Sequence, residues 1–273
     1  MDYRQFLPSY PLTAFIECYW IFRAPEAYSS TNERLIPGGR IECMFNFSSP
    51  LHLMIGAAAS IEPSRSEPVL MGQRDRVFYA RVTGETRILG IRFKPGGLYA
   101  FTDYSTESLL NEVVPAAAVF GSAISTLDKK LKLPADDEDR MSWIDKFLVQ
   151  KLRKPVADFE SALVTIDNFK RNKDAGSITE FCESSDIHYK KLERSMQKYA
   201  GYTPKSYFRL LRFNRALRKV IQPDQSLTAV AHGCGYYDQS HFIRDFKHFT
   251  GIRPGLFDVT RNPMSRVLLE SEP

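Results

Sequence analysis

Hydrophobic positions follow one pattern in the first part of the chain and another in the rest. Up to about residue 110 they form short runs rich in β-branched and aromatic residues, such as Arg40–Phe47, Val77–Val82 and Thr86–Phe93. Glycine and proline separate these runs, as in Pro37–Gly39 and Pro95–Gly97. Short strands divided by such turns predict an antiparallel sandwich or small barrel rather than a parallel α/β sheet.

From about residue 106 apolar residues recur at helical spacing, which predicts helices. A short helix is expected over Thr106–Val113 and a longer one over Asp139–Arg153, closed by Lys154-Pro155. The fold class is therefore α+β. We expect a β-rich domain with linking helices at 1–155, an all-helical domain at 156–260, and a tail at 261–273.

The helical part contains an internal repeat. Leu192–Pro204 aligns with Phe242–Pro254 at an offset of 50, with apolar residues, Arg, an aromatic, Gly and Pro recurring at matched positions. Two copies are too few for a solenoid, so the repeat indicates a duplicated supersecondary unit.

Each copy has the signals of a helix-turn-helix. Ser177 with Glu180 forms a capping box before a short helix, and a second helix is expected from about Tyr189 to Tyr199. Thr203-Pro204 starts a long helix that ends near Ile221 and joins the copies. In the second copy Asp238 caps the later helix, and the turn before it is one residue longer. The second helix of such a unit fits the major groove of DNA.

Side chains on the outer faces of these second helices are the candidate DNA contacts. Arg can bind guanine bidentately, Gln can pair with adenine, and an aliphatic side chain can touch the thymine methyl group. The predicted base-reading residues are Tyr189, Lys190, Glu193, Arg194, Gln239, Ser240, Ile243 and Arg244. The predicted phosphate contacts are Lys205, Arg209, Lys247 and Arg253. A solvated helix face is the alternative for each lysine and arginine.

The charge distribution agrees with this interpretation. The net charge is +5, whereas Ser177–Phe257 alone contains 13 Lys and Arg against 7 Asp and Glu, a balance of +6. The basic excess therefore belongs to the repeat, as expected of a DNA-binding domain attached to a near-neutral one.

These residues resemble the AraC/XylS family of bacterial transcription regulators. The resemblance rests on Gly235–Phe242 with Arg244, Phe246, Phe249, Gly251 and Pro254, and on Tyr202–Arg212 with Ala216-Leu217. It implies a seven-helix unit whose two recognition helices enter successive major-groove segments. The first copy departs from the family pattern: His188 replaces a small N-cap residue, Met196 an aromatic, and Cys182 a small residue.

The N-terminal part resembles a poorly characterised sensor-like domain that precedes such units. The carriers are Phe6–Pro8, Glu17–Trp20, Ile36–Gly39 with Glu42, and Gly90–Gly97. By analogy this domain senses a small-molecule effector or mediates homodimerisation. Trp20, Arg40, Glu42 and Arg92 are the candidate effector pocket. The alternative for them is a core aromatic with surface charges on edge strands.

The remaining chemistry points away from an enzyme. Cys18, Cys43, Cys182 and Cys234 lack metal-ligand spacing, and no nucleophile motif, metal cluster or phosphate loop accompanies the carboxylates of the β-rich part. We expect no cofactor, no metal, no membrane span and a cytoplasmic location. The expected partners are double-stranded DNA and, for an activator, RNA polymerase. A regulator whose N-terminal domain only dimerises, and a β-domain enzyme fused to a DNA-binding module, are the alternatives.

Overall fold

In the computed structural model, ten strands and nine α-helices lie in the described residues, which are 2–26, 32–48, 51–55, 59–61, 67–82, 84–154, 157–172, 176–222 and 225–258. The strands are β1 (Asp2–Phe6), β2 (Ile16–Ala24), β3 (Asn32–Leu35), β4 (Ile41–Asn46), β5 (Leu51–Ile55), β6 (Ala59–Ile61), β7 (Val69–Met71), β8 (Phe78–Val82), β9 (Thr86–Phe93) and β10 (Val113–Pro115). The α-helices are α1 (Ala116–Phe120), α2 (Ala123–Leu131), α3 (Asp137–Lys151), α4 (Ala157–Arg171), α5 (Ile178–Ser184), α6 (Tyr189–Ser195), α7 (Pro204–Val220), α8 (Leu227–Gly233) and α9 (Gln239–Thr250).

The strands form two antiparallel sheets. One has the order β1-β2-β9-β4-β7-β10, and the other has the order β3-β8-β5-β6. The larger sheet lies between the smaller sheet and the helices. The predicted α+β class is confirmed, with a β-rich N-terminal part and a helical C-terminal part, and the described sheets do not close into a barrel.

Burial on both faces of the larger sheet explains its apolar strands. Along β2, Trp20 and Phe22 pack towards the smaller sheet, whereas Tyr19 and Ile21 pack towards the helices. Successive side chains of a strand point to opposite faces, so a strand covered on both sides is apolar at most of its positions. This is why the N-terminal runs lack the alternation of a half-exposed strand.

Several element boundaries match the sequence expectations closely. The strands expected at Val77–Val82 and Thr86–Phe93 are β8 and β9, and the helix expected at Asp139–Arg153 is α3. The helix expected at Thr106–Val113 is wrong. A short 3-10 helix covers Glu107–Leu109, and Val113 then enters β10 beside β7.

The hydrophobic core continues across the expected domain boundary near residue 155. The buried cluster that contains Tyr19 and Phe93 of the sheet also contains Phe159 of α4 and Tyr207 of α7. The helical part is therefore packed against the β-rich part and is not an independent body beside it. The expected tail at 261–273 lies outside the described residues.

Candidate nucleic-acid interface

The first helix-turn-helix starts with a capped helix. Ser177 Oγ accepts a hydrogen bond from the Glu180 N–H at 3.2 Å, as the capping box predicts. The Glu180 carboxylate accepts from the N–H of Gly176 at 2.8 Å, one residue before the cap. Phe181 of α5 then packs edge-on against Phe169 of α4, with ring centroids 4.8 Å apart. These contacts fix the position of α5 on the core.

The turn into α6 uses less favourable residues. Asp186 adopts φ +47°, a left-handed conformation that is uncommon outside glycine. His188 then caps α6 through Nδ1, which accepts a hydrogen bond from the Lys190 N–H at 3.3 Å. Histidine is not one of the preferred N-cap residues. The departure that the family resemblance identified therefore lies at the start of the first recognition helix.

The second helix-turn-helix has stronger local signals. Ser226 caps α8 by accepting from the Ala229 N–H at 3.1 Å, and Gly235 supplies the left-handed residue of the turn at φ +75°. Asp238 caps α9 by accepting from the His241 N–H at 2.6 Å. The turn between α8 and α9 is one residue longer than that between α5 and α6. This is the insertion that the alignment of the copies predicts.

The two recognition segments match in length and in their inner faces. Helix α9 has 12 residues, and α6 with the π-helical turn Met196–Ala200 that follows it also has 12, from 7 and 5. Leu192 and Met196 are fully buried in the first copy, as are Phe242 and Phe246 in the second. The inner face of each helix is therefore fixed by the core, and its outer face is left to solvent.

The predicted base-reading residues lie on α6 and α9. Arg194 and Arg244 occupy equivalent outer positions. Glu193 and Ile243 are half-buried, and Glu193 accepts a hydrogen bond from the Tyr189 hydroxyl at 3.4 Å. The exposed members are Tyr189, Lys190, Arg194, Gln239, Ser240 and Arg244. The structure thus brings the eight residues together on two matched helices, each starting at a cap.

Three of the predicted phosphate contacts are exposed cations, but Arg209 differs. Lys205, Lys247 and Arg253 are exposed and make no side-chain hydrogen bond or ion pair within the described residues. Arg209 Nε instead donates to Asp245 Oδ1 at 2.8 Å, and its guanidinium lies over the ring of Phe249. Arg209 thus joins α7 to α9, and its contact with a DNA phosphate stays a prediction, since its side chain is 40% exposed.

Asp245 is the centre of a charged cluster beneath α9. Its side chain is 4% exposed and pairs with Arg209 and with Arg212, whose Nη2 lies 3.2 Å from Oδ2. The Arg212 guanidinium also stacks 4.3 Å from the ring centroid of Tyr236 and lies within 3.2 Å of His241 Nε2. Removing one partner of such a cluster would leave a desolvated charge behind. The cluster therefore fixes the orientation of the second recognition helix on α7.

One exposed candidate escaped the sequence analysis. Tyr237 is 88% exposed and directly precedes the cap Asp238 of α9. Periodicity could not find it, because it lies in the turn. The only signal was the one-residue insertion, since a longer turn projects an additional side chain next to the helix N-terminus. A tyrosine hydroxyl is a common donor to DNA phosphate oxygen.

The end of the first recognition segment is bound to the β-rich part by three hydrogen bonds. Gln73 Nε2 donates to the carbonyl oxygen of Gly201 at 3.2 Å, and the Tyr202 hydroxyl donates to that of Arg74 at 2.7 Å. Thr106 Oγ1 donates to the carbonyl oxygen of Lys198 at 2.7 Å. The π-helical turn thus coincides with the docking site, as irregular helix turns often do at functional places.

The end of the second recognition helix contacts the same part of the sheet domain. His248 Nε2 lies 2.7 Å from the carbonyl oxygen of Asp75, and the Tyr79 hydroxyl lies directly beside Gly251. Gly201 and Gly251 are equivalent positions of the repeat, at φ +69° and +79°. Residues 73–79, here called the docking segment, therefore contact both copies at corresponding places.

Three of the four candidate effector residues share a cavity between the sheets. Trp20, Glu42 and Arg92 line it, together with Arg74. Glu42 and Arg92 are 7% and 2% exposed and lie on β4 and β9 in the middle of the larger sheet, so the alternative of edge-strand surface charge is wrong for them. The cavity volume is about 40 Å³. This space fits small occupants such as water molecules rather than a metabolite.

The charges of this cavity are compensated within the protein. Arg92 Nε donates to Glu42 Oε1 at 2.9 Å. Burial favours the neutral form of Glu42, but Arg92 and Arg74 outweigh it, and the pKa of this carboxyl is lowered. Trp20 Nε1 is buried without a hydrogen-bond partner among the described residues. The indole lies flat on Gly90, where any side chain would collide with it.

Arg40 does not line the cavity with the other three. It precedes β4, directly after Gly39 at φ +74°, and its Nε donates to Glu17 Oε2 at 2.8 Å. The backbone turn at Gly39 directs Arg40 towards the helices. Of the four residues expected in one pocket, Trp20, Glu42 and Arg92 line the cavity between the sheets and Arg40 does not.

Other features of the described residues limit the chemistry. They hold no group of three or more His, Cys, Asp or Glu that could bind a metal ion, and the four cysteines are free thiols. Burial raises the pKa of the Cys18 thiol to about 11, although Arg92 opposes this. Among the helices that the structure describes, none combines the length and apolarity needed to cross a membrane.

Comparison with known families gives two matches along the chain. A model described as a helix-turn-helix domain matches residues 181–258, and a model described as a domain of unknown function matches residues 4–115. The second match agrees with the resemblance of the N-terminal part to a poorly characterised domain. Residues 116–180, which include helices α1 to α4, lie between the two matches.

The relatives that match in sequence are transcription regulators and not enzymes. The transcriptional activator RhaS of Pectobacterium carotovorum is 31% identical over 81 residues, which cover 30% of this chain and 28% of RhaS. The transcriptional regulator GbdR of Pseudomonas aeruginosa is 33% identical over 69 residues, which cover 25% of this chain and 19% of GbdR. The chain thus spans less than a third of the length of these curated relatives.

Among solved structures, ToxT from Vibrio cholerae aligns with most of the chain. The alignment covers 93% of this chain and 97% of ToxT, with a TM-score of 0.46 and 10% sequence identity. A DNA-binding transcriptional dual regulator from Escherichia coli K-12 aligns with 41% of this chain and 96% of its own length, with a TM-score of 0.29 and 18% identity.

Proposed function

We propose that the whole chain is a sequence-specific DNA-binding transcription regulator of the AraC type, because residues 181–258 match a helix-turn-helix model and the relatives that match in sequence are transcription regulators. In this proposal α6 and α9 are recognition helices that enter successive major-groove segments on one face of the duplex. Residues 156–260 form the DNA-binding domain and residues 1–155 the regulatory domain. The packing of α4 and α7 against the sheet joins the two domains.

The matched outer arginines carry the proposal. Arg194 and Arg244 lie exposed at equivalent positions of two recognition segments of equal length, while the residues that face inward at equivalent positions are fully buried. A solvated helix face explains one exposed arginine. It does not explain why the same position is basic and exposed in both copies.

We assign roles to the remaining side chains on the same basis. Base contacts come from Tyr189, Lys190, Glu193 and Arg194 of α6 and from Gln239, Ser240, Ile243 and Arg244 of α9. Lys205, Lys247 and Arg253 neutralise phosphates, and Tyr237 donates to a phosphate oxygen. Arg209 also contacts a phosphate, and it positions α9 through Asp245.

The test of DNA recognition starts from a site selected from random duplexes with the full chain. Arg244→Ala and Arg194→Ala should each weaken binding to that site by about 1–3 kcal/mol and relax the preference at one base pair. Arg4→Ala removes the same charge from exposed β1 and is the matched control, with little expected effect. An equal loss on unrelated DNA for Arg244→Ala would show that this residue contacts only the backbone.

We further propose that the N-terminal domain controls DNA binding by sensing a small molecule. Support comes from the docking segment, which contacts both copies of the repeat, so that a change in the sheet domain reaches both recognition helices. The alternative is a domain that only dimerises. Thermal unfolding with candidate metabolites separates the two, because a ligand of the native state raises the unfolding temperature. Sedimentation of the free chain then gives its oligomeric state.

A further inference from the structure

A cavity of about 670 Å³ lies between the two domains. Glu17, Arg40 and Lys94 line it from the sheet domain. The C-terminal end of α4 and one face of α7 line it from the helical domain. Its volume exceeds that of the cavity between the sheets more than tenfold, and it lies in the range of small-molecule sites.

The lining of this interdomain cavity is strongly basic. Its described cations are Arg40, Lys94, Lys170, Arg171, Arg215 and Arg218, and its carboxylates are Glu17 and Asp167. Glu17 already pairs with Arg40 at 2.8 Å and lies 3.9 Å from Lys170 Nζ. Asp167 pairs with Arg171 at 2.8 Å. The described lining thus contains six cations against two carboxylates, a formal excess of four positive charges.

The protonation equilibria of two lining groups agree with this excess. Burial lowers the pKa of Lys170, and the nearby Arg40 lowers it further. Burial also lowers the pKa of Arg218, with additional repulsion from Arg40 and Arg215. Each cation destabilises the protonated form of its neighbours. A bound anion would stabilise the protonated forms of Lys170 and Arg218 and so raise both pKa values.

Apart from the amides of Asn172 and Asn214, the rest of the described lining is apolar. Phe169, Phe208 and Leu211 form an apolar wall from α4 and α7. Asn214 lines the cavity as well; it is 8% exposed, and its amide makes no hydrogen bond within the described residues. An amide that lines the cavity without a protein partner is available to hydrogen-bond an enclosed ligand.

We propose that the interdomain cavity binds a small organic anion that carries at least two negative charges next to an apolar group. The charges pair with the cations of α4, α7 and Arg40, the apolar group packs on Phe169 and Phe208, and the Asn214 amide hydrogen-bonds the ligand. Because the site is built from both domains, binding stabilises this docked arrangement of α7, which joins both helix-turn-helix units. Only this regulatory consequence rests on the proposed function.

Two probes share the required charge and apolar group, and they differ in the kind of acidic group that carries the charge. Phenyl phosphate is a phosphomonoester and phthalate a dicarboxylate, and each combines an aromatic ring with two ionisable acidic protons. Isothermal titration of the full chain should detect at least one of them at micromolar to low millimolar concentration. Benzyl alcohol, which lacks the charge, and inorganic sulfate, which lacks the ring, should each bind at least tenfold more weakly. Binding of phenyl phosphate alone would identify the natural ligand as a phosphomonoester, and binding of phthalate alone would identify it as a dicarboxylate.

Adjacent residues of α7 supply a matched pair of variants. Arg218→Gln removes a cation from the cavity and should weaken the bound probe at least tenfold. Lys219→Gln removes the same charge one position later, where Lys219 Nζ donates to the carbonyl oxygen of Gly233 outside the cavity, and should change affinity less than twofold. Circular dichroism of both variants checks that they fold.

Three results overturn the proposal. They are no heat or thermal shift with either probe, equal weakening by both variants, or sulfate binding as tightly as the two probes. Because no DNA is present, these outcomes are independent of the proposed DNA recognition. Affinity for an unrelated duplex completes the test: a tenfold loss for Arg218→Gln without any probe binding would assign these cations to the DNA backbone instead.

Discussion

The two helix-turn-helix copies share a sequence pattern but are attached to the protein in different ways. The first copy is attached to the sheet domain by the hydrogen bonds of Gln73, Thr106 and Tyr202. Its Tyr199 also packs between Tyr99 of that domain and Phe159 of α4, with ring centroids 4.8 and 5.2 Å away. The second copy is attached mainly to α7, through the ion pairs of Asp245. The equivalent of Asp245 in the first copy is Ser195, which has no such role. A repeat thus fixes which face of each helix is buried, and single residues outside the shared pattern fix what that face is attached to.

This difference has a consequence for control. A ligand or mutation that changes the sheet domain acts directly on the π-helical turn of the first copy. The same change reaches the second copy through the contacts at His248 and Gly251 and through α7. We therefore expect the first recognition helix to respond more strongly to changes in the N-terminal domain than the second.

The largest expected effect comes from the equivalent glycines. In Gly201→Ala the new methyl group would lie 2.6 Å from the backbone oxygen of Thr106, at a φ of +69° that alanine disfavours. In Gly251→Ala it would meet the hydroxyl end of the Tyr79 side chain, which can move. Unfolding in urea should show a loss of about 3 kcal/mol or more for Gly201→Ala and about 1–2 kcal/mol for Gly251→Ala. Equal losses would contradict the stronger attachment of the first copy.

The next effect concerns the charge cluster of the second copy. Asp245→Asn keeps the shape but removes the negative charge that holds Arg209 and Arg212. We expect a loss of about 2 kcal/mol in the free energy of unfolding, because hydrogen bonds to charged groups contribute about 1.5–3 kcal/mol. Ser195→Ala at the equivalent position is the control, with an expected loss below about 0.5 kcal/mol. A loss for Ser195→Ala as large as that for Asp245→Asn would remove the distinction.

A smaller effect is expected from the loss of one hydrogen bond between the domains. Thr106 is fully buried, and Thr106→Val deletes the donor to the Lys198 carbonyl oxygen with little change in shape. We expect a loss of about 1 kcal/mol and faster amide exchange in the turn Met196–Ala200. Amide exchange in α9 should stay unchanged. Equal acceleration in both segments would show that the copies do not respond separately.

The smallest effect is expected from a substitution that improves the N-cap of α6. His188→Ser places a preferred N-cap residue before α6, where the histidine ring now accepts the Lys190 N–H at 3.3 Å. We expect stabilisation by about 0.5 kcal/mol in thermal unfolding. Replacing Asp238 by Ser in the second copy exchanges two good caps and should change stability less. A destabilised His188→Ser variant would show that the histidine ring contributes contacts beyond the cap.

Local chemistry made much of the helical part predictable. The caps Ser177, Thr203 and Asp238 all accept the expected backbone N–H groups, because capping depends only on residues within one helical turn. The left-handed glycines Gly201 and Gly251 follow from the same short-range rule. The offset of 50 then predicts the buried and exposed faces of both recognition helices.

Long-range contacts explain what the sequence did not reveal. The hydrogen bond between the Tyr202 hydroxyl and Arg74 joins residues 128 positions apart, and that between His248 and Asp75 joins residues 173 apart. No periodic signal encodes such pairs. The same limit applies to Arg209, whose partner Asp245 lies on another helix, and to the interdomain cavity, whose lining comes from distant parts of the chain.

The docking segment has a consequence for the geometry of the operator. Recognition helices of paired units must match a groove repeat of about 34–36 Å along the duplex. Since one seven-residue stretch contacts the corresponding ends of both units, we expect it to set the distance between the two helices that are proposed to bind DNA. Altered side chains in this stretch should therefore change the number of base pairs tolerated between the two contacted sequences, even though the stretch belongs to the sheet domain.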